Sequence, residues 1–361
     1  MIGQPASAID TPALLVDLDI LEANIARIAG TCAAHGVAWR PHVKVHKTPE
    51  IARLQIAAGA AGITCAKLSE AEAMADAGFR DILIANQIVG PLKVGRLMRL
   101  LDRAVPIVAV DDLANVAELG RAAAGRDSPL AVVVEVNLGM NRAGVEPGAP
   151  VAALAAAIAR QGGLAFAGVM GWESHAVAIA DAAEKERVVA AAVGLLTASA
   201  EACRRAGHDV GIVSCGGTGT FPYCAQQPGV TEVQVGGAIF SDMHYRTHYH
   251  VDIPCALTVL ATVTSRPTPS RVILDAGKKA LSGDAAMPQP LGLGAVRQLR
   301  LSAEHATIEL VEPAEAPRVG DRVAMIVGYS DTTVHLHETL VGVRGGRVER
   351  LWPIAARGRI T

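Results

Sequence analysis

At 361 residues the chain is long enough for one large domain and a smaller one, and with 51% hydrophobic but only 3% aromatic residues its core must be built from Ala, Val, Leu and Ile. Lys and Arg total 33 against 35 Asp and Glu, so there is no basic field for nucleic acid. Six scattered cysteines without a Cys-x-x-Cys pair read as reduced thiols, no secretory signal opens the chain, and no apolar run has membrane-spanning length, which together imply a cytoplasmic protein without a membrane partner.

In chain order, the run Ala13 to Leu18 leads into a helix from Ile20 to His35, apolar at Leu21, Ile25 and Ile28 and closed by Gly36. Eight strand-like segments follow: Trp39 to Lys44, Gly62 to Lys67, Asp81 to Gln87, Val105 to Asp111, Leu130 to Leu138, Ala165 to Trp172, Val210 to Cys215 and Glu232 to Phe240. Helical patterns separate the first seven, while Phe221 to Val230 leaves room for only a turn of helix. Near-continuous apolar runs such as Ala131-Val132-Val133-Val134 fit parallel strands covered on both faces. This alternation predicts an α/β fold, a (β/α)8 TIM-like barrel, with functional groups at the C-terminal strand ends.

After about Tyr249 the helical pattern stops. Runs at Ala256 to Thr264, Arg271 to Leu274, Ala306 to Val311, Arg322 to Ile326, Thr333 to His337 and Leu340 to Arg344 predict a C-terminal antiparallel β domain. The expected division is a barrel over 1–249 and a β domain over 250–361, which the extreme N-terminal residues could also join.

Arg40-Pro41-His42-Val43-Lys44-Val45-His46-Lys47 gathers three kinds of basic nitrogen at a strand end. Neighbouring positive charge and burial both disfavour an ammonium, and a neutral lysine amine forms a Schiff base with an aldehyde cofactor. A solvated basic loop is the alternative. Ser214-Cys215-Gly216-Gly217-Thr218-Gly219-Thr220 follows a strand directly, and its glycines and hydroxyls suit an anion, although a tight turn alone would also use them. It is neither a Walker loop nor a dinucleotide fingerprint. Arg142, in Gly139-Met140-Asn141-Arg142-Ala143-Gly144, could meet a phenolate or carboxylate, and His175, in Gly171-Trp172-Glu173-Ser174-His175, could stack on a flat ring or move a proton. In Tyr329-Ser330-Asp331-Thr332-Thr333-Val334-His335-Leu336-His337, the two histidines would share a face if this were a strand, and a divalent metal accepts Asp and His together. A polar edge strand explains the same spacing.

Together these stretches resemble the D-threonine aldolase and D-serine dehydratase group of pyridoxal-phosphate enzymes, relatives of the alanine racemases. The most specific are Arg40 to Lys47, Gly216 to Thr220 and Ile273-Leu274-Asp275-Ala276-Gly277, and the likeness runs from Asp10-Thr11-Pro12 to Trp352–Gly358. The resemblance implies pyridoxal 5'-phosphate as cofactor, a small amino-acid substrate, and a homodimer in which one subunit's β domain closes its partner's site. It makes Lys44 the Schiff-base lysine and Lys47 a bystander, places Arg142 beside the phenolic oxygen and His175 against the pyridine, and assigns the phosphate to Gly216, Gly217 and Thr218 with backbone at Gly237 and Ala238.

The implied reaction is cleavage of the Cα–Cβ bond of a β-hydroxy D-amino acid to glycine and an aldehyde. Dehydration, racemisation and cofactor binding without turnover are the alternatives. The family's metal motif is His-x-Asp in aldolases and His-x-Cys in dehydratases, whereas this chain has Tyr329-Ser330-Asp331. Either Asp331 with His335 or His337 holds a divalent ion (manganese, magnesium or zinc), or Tyr329 works without metal as an acid or base. Trp172, His244, Tyr245 and Lys279 are expected at the substrate's distal end.

Overall fold

The computed structural model describes residues 1–361. Its first strand is β1 (Ala13–Asp17), and the helix Leu18–Ala34 follows at once. Eight further strands, β2 (Ala38–Trp39), β3 (Ile63–Cys65), β4 (Asp81–Gln87), β5 (Val105–Val110), β6 (Leu130–Val136), β7 (Leu164–Gly171), β8 (Ile212–Cys215) and β9 (Glu232–Val233), form one parallel sheet in the order β2-β9-β8-β7-β6-β5-β4-β3. Its two ends meet through a parallel bridge between His42 and Thr64, where the Thr64 amide donates to the Pro41 carbonyl at 2.8 Å and the Thr64 hydroxyl to the Arg40 carbonyl at 2.8 Å. The expected TIM-like barrel is the fold observed.

Alternation along the strands sets the barrel's lining. Leu83, Ile107, Ala109, Val133 and Met170 form a buried cluster with Ala85, Ala131, Ala167 and Ile212, all of them within or beside strands, as side chains that point inward must be. The small residues let neighbouring side chains interdigitate at native density.

The remaining strands are β10 (Leu257–Thr268), β11 (Arg271–Leu274), β12 (Gln289–Pro290), β13 (Val296–Leu301), β14 (Ala306–Leu310), β15 (Arg322–Ile326), β16 (Thr339–Arg344) and β17 (Arg347–Pro353). They build a second sheet in the order β13-β14-β11-β10-β1-β16-β17, with β15 paired to β10 and β12. Only the β1–β16 pair is parallel. Ile9, Leu15, Leu260, Val341 and Val348 form a core there from the chain's two ends.

By internal contacts the chain divides into two compact units. One comprises Met1–Ala26, Val45–Glu50 and Gly237–Gly358; the other comprises Arg27–Lys44, Ile51–Gly236 and Arg359–Thr361. The boundary expected at 249/250 thus falls inside the β-rich unit, which also takes the N-terminal strand. The segment expected as a strand at Thr333 to His337 is instead the end of a short helix, Ser330–Val334, and the residues after it. No helix is long and apolar enough to cross a membrane.

Candidate active site

In the barrel unit, backbone from Ala38 to His42 stays extended between two neighbours. Arg40 N donates to the Val233 carbonyl at 2.9 Å, His42 N to Gln234 at 3.2 Å, and Ala61 N to the Trp39 carbonyl at 2.8 Å. The chain then turns tightly through Val43–Val45, so the expected strand to Lys44 ends two residues early and Lys44, half-buried, sits on that turn. Gly236 lets the turn approach, since a Cβ there would lie 2.2 Å from the His42 carbonyl oxygen.

The other basic residues of the motif are committed elsewhere. Arg40 is buried and paired with Glu232 at 2.9 Å and with Asp81, both at the starts of their strands. Its charge is therefore balanced at the foot of the barrel instead of acting on Lys44. In the β-rich unit, His46 accepts the Thr48 amide at 3.1 Å through Nδ1, and Lys47, left-handed at φ 53°, takes the Ala356 amide on its carbonyl.

Three loops at the C-terminal strand ends assemble around each other. After β6, Asn137 Oδ1 accepts the amides of Gly139 and Asn141, each at 3.1 Å, and the Gly144 amide reaches Asp111 at 3.0 Å. Gly144, at φ 100°, has no room for a Cβ, which would lie 2.7 Å from the Asn137 nitrogen. The fold-back carries Arg142 to 3.9 Å from Glu135 and 5.5 Å from the centre of the Trp172 ring. Glu135, on the inward-facing parity of β6, accepts Gln87 Nε2 at 2.6 Å, and burial pushes its carboxyl above the usual range.

After β7, the exposed His175 ring lies against Gly139, where a Cβ would be 3.0 Å from its Cε1. Trp172 turns toward the loop after β8, with its Nε1 only 2.9 Å from where a Gly217 Cβ would sit. Buried Glu173 receives the Thr220 hydroxyl and, at 3.4 Å, the Gly216 amide. The Gly217 amide goes to the Thr220 hydroxyl oxygen at 3.2 Å. Two amides, those of buried Thr218 and Gly219, have no acceptor within the chain, and neither has the buried Trp172 indole N–H.

That loop fits a phosphate-bearing group. Buried N–H groups are almost always paired, and three left without acceptors on and beside one loop suit an anion. It differs from the expected set, because Gly216 and Gly217 spend their amides internally while Gly219 and Trp172 are available. The structure thus brings Arg142, His175 and the Gly216–Thr218 loop to one end of the barrel and holds Lys44 on the turn that closes it.

Glu173, Cys215 and Cys224 are the one trio of such donors whose ligand atoms lie within 4.8 Å of one another. Burial, then the hydrogen bond to Cys215, raises the Cys224 thiol well above its ordinary value, so the group is a protonated packing cluster under the loop.

In the β-rich unit, Gly237 and Ala238 lie in the buried turn Gly237–Ile239, and a Cβ at Gly237 would meet the Tyr245 oxygen at 2.2 Å. Around Tyr245 gather His244, Tyr249 and Tyr329, with ring centres 4.8 Å apart for His244–Tyr249 and 5.0 Å for His244–Tyr329. Buried Asp242 accepts the Tyr245 and Ser330 amides, both at 2.8 Å, and fixes the start of the helix that carries Asp331. Burial, then the Asp331 carboxylate, pushes the Tyr329 phenol far above its ordinary value, so it keeps its proton. Burial, then His248, lowers His244, whose Nδ1 is buried without a partner.

The two histidines of the expected metal set differ in their surroundings. Burial, then the charges of Lys47 and Arg357, lowers the pKa of His335, and the His337 Nε2 is bonded to the Ala280 carbonyl at 2.8 Å. The Asp331 carboxylate also acts electrostatically on His244 and Tyr329. With helix in place of the strand, His335 and His337 lose the shared face expected of them, while Asp331 and His335, four residues apart, lie on one helical face. Lys279, expected near substrate, is exposed and paired with Glu304.

The alanine racemase N-terminal domain model matches residues 16–244, and a serine dehydratase domain model matches 256–343. D-Threonine aldolase of Arthrobacter sp. is 37% identical over 99% of this chain and 95% of its own. The chain belongs to the alanine racemase-like family of pyridoxal-phosphate enzymes, within its D-threonine aldolase-type lyases. The 3-hydroxy-D-aspartate aldolase of Paracoccus denitrificans (strain Pd 1222) is 34% identical over 99% of this chain and 94% of its own. The crystal structure of D-threonine aldolase from Filomicrobium marinum superposes with a TM-score of 0.96 at 36% identity, covering 100% of this chain and 99% of that one. Within the barrel unit the unpaired N–H groups of Gly219 and Trp172, and within the β-rich unit the unpaired Nδ1 of His244, are features that sequence reasoning missed; only packing reveals an N–H or ring nitrogen without a partner.

Proposed function

We propose that this lyase cleaves the Cα–Cβ bond of a β-hydroxy D-amino acid, with D-threonine and 3-hydroxy-D-aspartate as the substrate class, releasing glycine and an aldehyde. The observation that carries the reading is full-length likeness, through both units, to aldolases named for those two substrates. Pyridoxal phosphate, when bound, supplies an electron sink for the charge left on the α-carbon.

The chain's own residues would divide the remaining work. Lys44 would be the amine that holds the cofactor covalently, Arg142 would neutralise its phenolic oxygen, and His175, its ring already flattened on Gly139, would stack on the pyridine. The amides of Thr218 and Gly219 would bind phosphate, with Gly216 and Gly217 shaping the loop and Gly237 and Ala238 adding backbone. Within the β-rich unit, His244 with its unpartnered Nδ1 and the protonated Tyr329 form a pair suited to accept a hydroxyl's proton and to donate to its oxygen. The resemblance carries a homodimer with it, which a monomer mass in light scattering would remove.

The match of residues 256–343 to a serine dehydratase domain favours dehydration as the second reading. Product analysis separates them: glycine plus acetaldehyde from D-threonine is the aldolase result, whereas 2-oxobutanoate plus ammonia would replace it with the dehydratase.

A further inference from the structure

Trp172 presents a problem that packing alone does not solve. Its side chain sits between the loop after β8 and the Arg142 guanidinium, 5.5 Å from the ring centre, and it presses on Gly217 so closely that a Cβ there would lie 2.9 Å from Nε1. A phenyl ring would fill that space without a polar atom. Instead an indole N–H, which can only donate, is buried there with no acceptor, an arrangement that ordinarily costs about 1–3 kcal/mol.

The surroundings indicate what it awaits. The neighbouring amides of Thr218 and Gly219 are buried and have no acceptor either, while the Gly216 and Gly217 amides are already taken by Glu173 and Thr220. The nearest carboxylate of the loop, Glu173, is occupied by donors from the loop itself and does not face the indole as a partner. A cation stacked on an indole also draws electron density from the ring, which strengthens its N–H as a donor to an anion.

We infer that Trp172 is a phosphate-binding residue, whose Nε1–H joins the Thr218 and Gly219 amides in holding the cofactor's phosphate, and is not a contact to the substrate's distal end. The inference rests on the cofactor reading above. Gly217 is then a glycine because the indole must lie flat on the loop. Arg142 is coupled to the phosphate loop through the ring on which it stacks.

Trp172→Phe keeps an aromatic ring under Arg142 and removes only the N–H. Equilibrium binding of pyridoxal phosphate and of pyridoxal, which lacks the phosphate, is followed by visible absorbance on apoenzyme. The expected result is a roughly 10- to 150-fold weaker affinity for pyridoxal phosphate, the range for one hydrogen bond to a charged group, with pyridoxal affinity unchanged. Equal losses for both aldehydes, or none for either, would overturn the assignment. Gly217→Ala, which displaces the indole without deleting it, is expected to give the same selective loss, and a variant that binds both aldehydes as wild type does would count against it. If wild type bound neither aldehyde, the cofactor reading would fail and this inference with it.

Discussion

Arg40 Nε donates to Glu232 Oε2 at 2.9 Å, a buried ion pair that ties the first strand of the barrel to the last. The other arm of the guanidinium reaches Asp81 on β4, and Gly62 must be glycine because a Cβ would lie 2.4 Å from the Arg40 Nη1. Replacing Arg40 by Met strands the Glu232 carboxylate in the barrel foot. Urea unfolding should report a loss of roughly 3–5 kcal/mol. A loss below about 1 kcal/mol would mean that the pair is not what closes the ring there.

Gly144→Ala tests the loop that carries Arg142. At φ 100° and with backbone atoms 2.7 Å from the new Cβ, alanine forces the fold-back open. The expected outcome is a lower melting temperature, from about 1–3 kcal/mol of strain, together with weaker cofactor binding. Unchanged binding with lowered stability would separate Arg142 from the site.

Tyr329 and His335 lie six positions apart in the sequence, and opposite outcomes are expected of them. Tyr329→Phe removes the protonated hydroxyl beside His244 and should reduce kcat by about 10²- to 10⁴-fold. His335→Gln should leave kcat near wild type, with or without added manganese, magnesium or zinc, because His335 faces Lys47 and Arg357. A metal-dependent loss in His335→Gln would assign His335 to a metal site.

Asp242 supplies a pH signature. Burial, offset in part by the Ser330 and Tyr245 donors, pushes its carboxyl from 3.8 up to about 6. Its folded-state pKa is raised, so the unfolded chain loses this proton first. Stability contributed by the protonated group is therefore complete below about 4 and falls as pH rises toward 6, levelling beyond it. The difference in unfolding free energy between wild type and Asp242→Asn should shrink across that window by an amount on the order of 3 kcal/mol. A difference that grows with pH would reverse the assignment.

The barrel was legible because buried parallel strands write long apolar runs, as at Ala131-Val132-Val133-Val134, and pattern alone placed all eight. The β-rich unit was less legible. β13 carries Arg297 and Arg300 among exposed positions, so Val296–Leu301 lacks a clean alternation that would mark it as a strand, and Arg347–Pro353 is no clearer. The segment at Ser330–Val334 looked like a strand because Thr and Val favour one. It is a helix because Asp242, far away in sequence, caps the Ser330 amide at 2.8 Å. Arg40 misled in the same way: four residues before Lys44 in sequence, it serves the opposite end of the barrel. Motif reading singled out the glycine-rich loop after β8, but not which of its amides remain available, since that depends on Glu173 and Thr220.

The most direct test of the cofactor and its lysine is the visible absorption spectrum of wild type and of Lys44→Ala after incubation with pyridoxal phosphate, followed by addition of D-threonine. The expected result is a band from lysine-bound cofactor in wild type that is absent in Lys44→Ala, with glycine and acetaldehyde formed by wild type alone. An identical band in both proteins would remove Lys44 from its role, and no band in either would contradict the cofactor assignment itself.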